Sequence, residues 1–346
     1  MGSSYQNNKL GKLRDISIEQ INQAQAGIAS DARSASSSKI GNGYAHAKII
    51  LMGEHAVVYD YPAIALPFSA VQVHVQVKAS QHSTSHIDCQ YYAGPIDEAP
   101  SMLANLNRAI SLTLDSFKIL SQPIQITINS NIPQERGMGS SAAVSVAIVR
   151  AICDYYDIDI TDKQLQLIVN QAEVIAHEST SGLDTLMTSS NNPVIYRKSQ
   201  TPRPFELALD AYLVVADSGQ AGQTKLAVSH VGQLKDRKPE LVKELMSAIG
   251  NFVQQAYDAI SEKDVQKLGR LMTYNHYYLN QLGISNPTLD HIINAAWLGG
   301  ALGAKLTGGG LGGCVIALAS DENSAIEIAQ VMQDAGAINS WYFRLS

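Results

Sequence analysis

Ile132-Pro133-Gln134-Glu135-Arg136-Gly137-Met138-Gly139-Ser140-Ser141-Ala142-Ala143 is the most informative segment of this chain. Upstream, Ile124, Ile126 and Ile128 alternate with Gln125, Thr127 and Asn129, the period-two pattern of a half-buried strand. Downstream, Ser140–Tyr155 is rich in Ala and Val and reads as a helix. A strand therefore enters a glycine-rich turn and leaves it as a helix. The first turn of a helix has unpaired N–H groups and partial positive charge, and glycines let that backbone approach a ligand closely. The combination is an anion site suited to a di- or triphosphate. Arg136 could add a charge-assisted contact, and the serine hydroxyls are hard oxygen donors of the kind Mg²⁺ takes. No Gly-x-x-x-x-Gly-Lys-Ser/Thr loop is present. Taken alone, a Gly-x-Gly turn with a serine at the helix start is an ordinary strand-to-helix connection. Two further sites accompany it and favour the phosphate reading.

The first is Lys48-Ile49-Ile50-Leu51-Met52-Gly53-Glu54-His55-Ala56-Val57-Val58. A strand carrying one lysine among apolar neighbours runs into Gly-Glu-His, which suggests a directed charge. The second is Lys305-Leu306-Thr307-Gly308-Gly309-Gly310-Leu311-Gly312-Gly313-Cys314. A flexible hairpin would explain it, but the density of glycine favours a loop laid against a ligand or against the other glycine-rich loop. Between them, Glu173 falls near the buried stripe of a helix marked by Leu165, Ile168, Ala172 and Ile175, and a buried carboxylate needs a cation or a metal. Asp184, in Ser181-Gly182-Leu183-Asp184, reads equally as a turn residue. His177-Glu178 does not open a zinc His-Glu-x-x-His site, because position 181 is Ser.

The remainder sets the frame. At 346 residues, 45% hydrophobic and 16% charged, the chain suits two domains with sizeable cores. Val71, Val73, Val75 and Val77 alternate with polar residues as another half-buried strand, so an antiparallel or mixed sheet is expected. Helical spacing covers Met102–Ile119, Thr161–His177 (opened by a Thr161/Gln164 capping box), Pro239–Ile260, Val265–Gly283, Thr288–Leu298 and Ser324–Ala335. Strands are expected at Ala47–Met52, Tyr212–Asp217, Cys314–Ala319 and Trp341–Leu345. The Lys198–Pro204 stretch reads as a boundary, which divides the chain into a Ser/Gln-rich tail at 1–42, a first domain at 43–203 and a second at 204–346. The tail is expected to be disordered, with a short helix at Ser17–Gln25 as the alternative. A net charge of −6 and a pI near 5.8 argue against nucleic acid and anionic membranes as partners. Three widely spaced cysteines argue against a disulfide framework or metal cluster and fit a reducing cytoplasm, with Cys153 and Cys314, in apolar runs, expected as buried hydrophobes.

In order and spacing, the three glycine-rich motifs resemble those of the GHMP kinases, from about Gly43 to Leu345. The resemblance implies an α+β fold of two domains, the first like domain 2 of ribosomal protein S5 and the second ferredoxin-like, with ATP in the cleft between them. Gly53-Glu54-His55-Ala56-Val57-Val58 and the separation of Glu173 from Asp184 look most like the members that phosphorylate mevalonate. Galactokinases follow Gly-Glu-His with Thr/Asn-Asp-Tyr, which is absent here. The implied chemistry is transfer of the γ-phosphoryl group of ATP to the primary hydroxyl of mevalonate. Another GHMP kinase is the alternative, one acting on phosphomevalonate first. A non-catalytic nucleotide sensor on the same scaffold is disfavoured by the joint presence of Lys48, Ser141, Glu173 and Asp184. By resemblance, Asp184 takes the proton beside Lys48. Ser130, Arg136, Gly137, Met138, Gly139, Ser140 and Ser141 lie at ATP, and Ser141 and Glu173 hold Mg²⁺. Glu54, His55 and Thr224, in Gly222-Gln223-Thr224-Lys225, contact mevalonate. A homodimer is compatible with this reading. The sequence departs from the family at Gln134-Glu135-Arg136, where many members carry small residues, and at Leu183, where Ile or Val is common.

Overall fold

The computed structural model describes residues 39–119, 122–176 and 182–346, the side chains of 175 and 176 excepted. The helix considered at Ser17–Gln25, the side chain of Ile175 and residues His177, Glu178 and Ser181 lie outside them.

The first sheet has seven strands, all in the N-terminal part of the chain. These are β1 (Ile40–Met52), β2 (Ala63–Ala79), β3 (His86–Cys89), β4 (Tyr92–Pro95), β5 (Ile124–Ser130), β6 (Val194–Tyr196) and β7 (Arg203–Pro204). The long β2 organises it. One edge pairs with β1 along its length, and the other pairs with β5 at one end and β6 at the other. β3 joins β5 in parallel while the other pairings are antiparallel, so the sheet is mixed. Val71, Val73, Val75 and Val77 are buried between more exposed polar neighbours, as their alternation requires.

β1 starts earlier than its apolar run suggests. Its first half is Ile40-Gly41-Asn42-Gly43-Tyr44, a composition that weakens a strand by propensity alone. Tertiary packing explains it. A β-carbon built at Gly43 would stand 2.0 Å from Ala147 O, so the glycine is what lets helix Ser140–Tyr155 lie directly on this strand. Among the described residues, four α-helices pack in this lobe: α1 (Ala104–Ser116), α2 (Ser140–Tyr155), α3 (Asp162–Ala176) and α4 (Leu183–Ser189). α2 has the bounds expected from sequence and buries nearly every residue from Ala142 to Tyr155. α3 opens with the expected capping box: Thr161 N–H donates to Gln164 Oε1 at 3.1 Å, and Gln164 N–H to Thr161 Oγ1 at 3.3 Å.

The second sheet contains β8 (Tyr212–Asp217), β9 (Gly303–Thr307), β10 (Cys314–Ala319) and β11 (Asn339–Arg344). Its order is β11-β8-β10-β9 and every pairing is antiparallel, which is the ferredoxin-like arrangement. Five helices accompany it: α5 (Thr224–Arg237), α6 (Pro239–Ser261), α7 (Val265–Gln281), α8 (Pro287–Leu298) and α9 (Glu322–Asp334). Both faces of the central strands are buried. Leu213, Val215, Ile316 and Leu318 join the core shared with the first sheet, whereas Val214, Ala216, Val315 and Ala317 join a core with the helices. Two buried faces give a continuous apolar run instead of alternation. The shared core joins the two sheets; in it Phe68 of β2 meets Trp341 and Phe343 of β11, with ring centroids 6.0 and 5.5 Å apart.

Cys153 and Cys314 are buried and Cys89 is half-buried, all as free thiols. Burial pushes the Cys153 thiol up to about 12. Among the described residues, no helix is long and apolar enough to cross a membrane.

Candidate active site

The glycine-rich loop between β5 and α2 is held from below by β1. Lys48 N–H donates to Met138 O at 3.0 Å, and the Met138 side chain is buried. Gly139 takes the N-cap position of α2 with a left-handed φ of 74°, and no side chain caps the helix. A β-carbon at Gly139 would stand 3.1 Å from Lys48 Cγ and 3.2 Å from Thr188 Cγ2, so the Lys48 stem passes directly beneath the helix start. Its ammonium ends 2.9 Å from Asp184 Oδ1. Asp184 lies in the first turn of α4 after the left-handed Gly182. The lysine side chain is 4% exposed and the aspartate 52%. A buried cation thus faces a half-exposed carboxylate.

Beside the same helix start, Ser141 Oγ donates to Glu173 Oε1 at 2.8 Å. Asn105 of α1 donates from Nδ2 to Ser141 Oγ at 2.7 Å and to Glu173 Oε1 at 3.2 Å, and Ser145 Oγ approaches the same oxygen at 3.5 Å. Glu173 is buried, and donors from two neighbouring helices fix its carboxylate orientation.

A third cluster lies on the second-lobe side. Glu54 and Lys305 are both fully buried and form an ion pair through Glu54 Oε1. Asn275 of α7 donates to Glu54 Oε2 at 3.3 Å, and Lys305 Nζ also donates to Leu306 O at 2.7 Å. Burial pushes the Glu54 carboxyl up against the pull of Lys305. It pushes the Lys305 ammonium down against the pull of Glu54. The adjacent His55 has its pKa lowered by burial, opposed by its bond to Gly309. A carbonyl only accepts, so at 2.8 Å His55 Nε2–H donates to Gly309 O and Nδ1 is left as an acceptor. Thr224, at the start of α5, is packed against the same loop residue: a β-carbon at Gly309 would stand 2.1 Å from Thr224 Oγ1. Glu54, His55 and Thr224 are thus gathered around the third glycine-rich stretch.

The second and third glycine-rich loops meet. A β-carbon at Gly137 would stand 3.2 Å from Gly308 Cα, the loop-on-loop contact expected from the glycine density. Thr307 Oγ1 donates to Ile50 O at 2.8 Å and accepts from Ile50 N–H at 3.2 Å, which ties β9 to β1. Arg136 differs from the expectation of a phosphate contact. Its guanidinium bonds Asp217 Oδ1 at 2.7 Å, Gly219 O at 3.0 Å and Gln134 O at 3.1 Å. Ser130 is exposed at the end of β5, and its Oγ accepts from Ile132 N–H at 3.2 Å. Neither residue joins the Lys48–Asp184 cluster.

Comparison with known proteins follows the same lines. The family models for the GHMP kinases N terminal domain and the GHMP kinases C terminal match residues 104–191 and 256–338. A mevalonate kinase of Pyrococcus horikoshii is 33% identical over 319 residues, which cover 85% of this chain and 92% of the relative. The chain belongs to the GHMP kinases. Among solved structures, this GHMP kinase is similar to L. major mevalonate kinase in complex with R-mevalonate. The TM-score is 0.79 and the identity 27%, with 91% of this chain and 99% of that one covered. It is also similar to a mevalonate kinase of methicillin-resistant Staphylococcus aureus, with TM-score 0.68, 32% identity and coverage of 89% and 99%.

Several groups of this GHMP kinase's site were not singled out from sequence. Lys305 carried the signal used for Lys48, a lysine inside an apolar strand. In sequence it reads as part of a loop, because β9 is short and runs straight into glycines. Asn105 and Asn275 sit on amphipathic helices and Thr188 on the short, largely buried α4, where a buried amide or hydroxyl has no local signature.

Proposed function

We propose that this GHMP kinase transfers the γ-phosphoryl group of ATP, with Mg²⁺, to the primary hydroxyl of mevalonate, giving 5-phosphomevalonate and ADP. One observation carries the reading: the Lys48–Asp184 pair, 2.9 Å apart, lies against Gly139 at an uncapped helix N-terminus. The mevalonate kinases among its relatives, matched over most of both chains, support the choice of alcohol. The same reading takes residues 43–203 as the lobe carrying the phosphate loop and 204–346 as the lobe that closes over it.

An alcohol is a poor nucleophile until its proton has somewhere to go. Asp184, accessible and within one hydrogen bond of a fixed ammonium, accepts that proton as the oxygen attacks. Lys48, held from solvent, stabilises the negative charge that develops there. The Gly137–Ser140 backbone receives the phosphates at the end of α2, and Ser130 borders the nucleotide. Ser141 and Glu173 fit Mg²⁺: their oxygens are hard donors, and this ion characteristically combines one or two protein ligands with phosphate oxygens and water. An ion held by these two residues would supply neutralisation of phosphate charge. Asn105 and Ser145 keep the Glu173 carboxylate turned for that task. His55 Nδ1 accepts a hydroxyl hydrogen of the substrate, and Glu54 and Thr224 complete its seat.

A coupled ADP-release assay with mevalonate, phosphomevalonate, homoserine and galactose tests this directly. Mevalonate is expected to sustain turnover and the others not. Preference for phosphomevalonate would transfer the reading to the alternative kinase.

A further inference from the structure

We infer that Arg136 is a positioning residue that clasps the phosphate loop to the second lobe through Asp217, and that it does not itself contact ATP. The inference deepens the proposed function, since it rests on the 133–139 loop being the phosphate site. Three guanidinium nitrogens already have fixed acceptors. Nε–H donates to Asp217 Oδ1, Nη2 to Gly219 O and Nη1 to Gln134 O. Asp217 is 3% exposed in its side chain, sits at the end of β8, and receives a second hydrogen bond from Gly219 N–H at 2.8 Å. A buried carboxylate with an ionic partner and a backbone donor is a rigid anchor.

The backbone around Arg136 is held from the same side. Gly222 N–H donates to Glu135 O. A β-carbon at Gly313 would stand 2.8 Å from Arg136 O, and one at Gly308 would stand 3.0 Å from Gly137 Cα. Glu135 keeps a φ of 55°, a left-handed value that a non-glycine residue holds only where its surroundings impose it. The loop is thus shaped by 218–222 and 308–313 of the other lobe, and Arg136 is its side-chain tether. Turning the guanidinium toward a phosphate would break a charge-assisted bond and leave Asp217 buried without its cation.

Two measurements on the full chain decide the matter. The first is hydrogen exchange at the Gly222 amide in nucleotide-free enzyme, for Arg136→Met, Asp217→Asn and the double variant. The second is ATP affinity of the same proteins by calorimetry. Each single change is expected to speed Gly222 exchange and to weaken ATP by about tenfold. The double variant is expected to be no weaker than the worse single one, because both remove the same clasp. Unchanged Gly222 exchange in Arg136→Met overturns the inference. So does Asp217→Asn binding ATP like the parent while Arg136→Met does not, because Arg136 would then touch phosphate itself. Multiplying losses in the double variant overturn it too. The exchange experiment contains no substrate, so it separates failure of the clasp from failure of the proposed reaction. Should Asp217→Asn not fold, Arg136→Met and a partly rescuing Arg136→Lys still decide it.

Discussion

Replacing Lys305 by methionine keeps most of the side-chain volume and removes the charge. The consequence follows from the position of Glu54. Both residues are fully buried, and the donors that remain to the carboxylate are neutral: the Asn275 amide at 3.3 Å and the backbone N–H of Glu54 itself. Removing one member of a buried pair leaves an uncompensated ion and costs about 3–5 kcal/mol. That is a large part of the 5–15 kcal/mol or so that typically separates folded from unfolded protein. The pH dependence has a definite sign. Burial raises the Glu54 carboxyl and Lys305 pulls it back, so without the lysine it rises further. A carboxyl raised on folding contributes stability that is fully present below its unfolded value of about 4.3 and is lost as pH rises through the folded value. The variant should therefore be nearest the parent in acid and fall away toward neutrality, at up to about 1.4 kcal/mol per pH unit. Equilibrium urea unfolding of parent and variant between about pH 5 and 8 reads this. Combining Glu54→Gln with Lys305→Met should recover much of the loss, because a neutral pair replaces a stranded charge. A loss under about 1 kcal/mol at neutral pH, or one that does not change with pH, would refute the reasoning.

Asp184→Ala is expected to lower turnover by about 10²–10⁴ while nucleotide binding is largely kept; a coupled ADP-release rate near the parent's would remove Asp184 from its role. Glu173→Gln should raise the Mg²⁺ concentration needed for half-maximal activity, and an unchanged Mg²⁺ titration would count against Glu173 as a ligand. Thr307→Val deletes both hydrogen bonds to Ile50 and strands a buried N–H and C=O. The expected loss is about 1–3 kcal/mol in urea unfolding, and an unaltered midpoint would show that the β9–β1 tie is replaceable.

Much of the fold was legible because burial on one side leaves a periodic trace. Val71–Val77 and Ile124–Ile128 could be recognised as strands and α6 as a helix from spacing, whereas α2 was marked by its Ala/Val-rich composition after the glycine-rich turn. Elements that break the trace were missed. β9 is buried at all five positions, but Lys305 interrupts its apolar run and glycines follow at once, so it lacks the continuous apolar stretch that marks β10. α5 buries little beyond Ala227 and Val231, so its apolar stripe is faint. The first half of β1 contains two glycines that look like a turn until helix α2 is laid against them.

The site divides in the same way. Glycine clusters, the lysine within an apolar strand and the order of motifs were enough to reach the kinase family, because backbone requirements and family spacing are written along the chain. Choice of partner is not written there. The family pattern supplies Asp184 beside Lys48, but only the fold reveals Lys305 as the neighbour of Glu54 and Asp217 as the neighbour of Arg136. Each of these pairings joins residues far apart in sequence and arises only when strands and loops are packed together. A charge in a linear sequence has many candidate counter-ions, and desolvation in the folded core selects one.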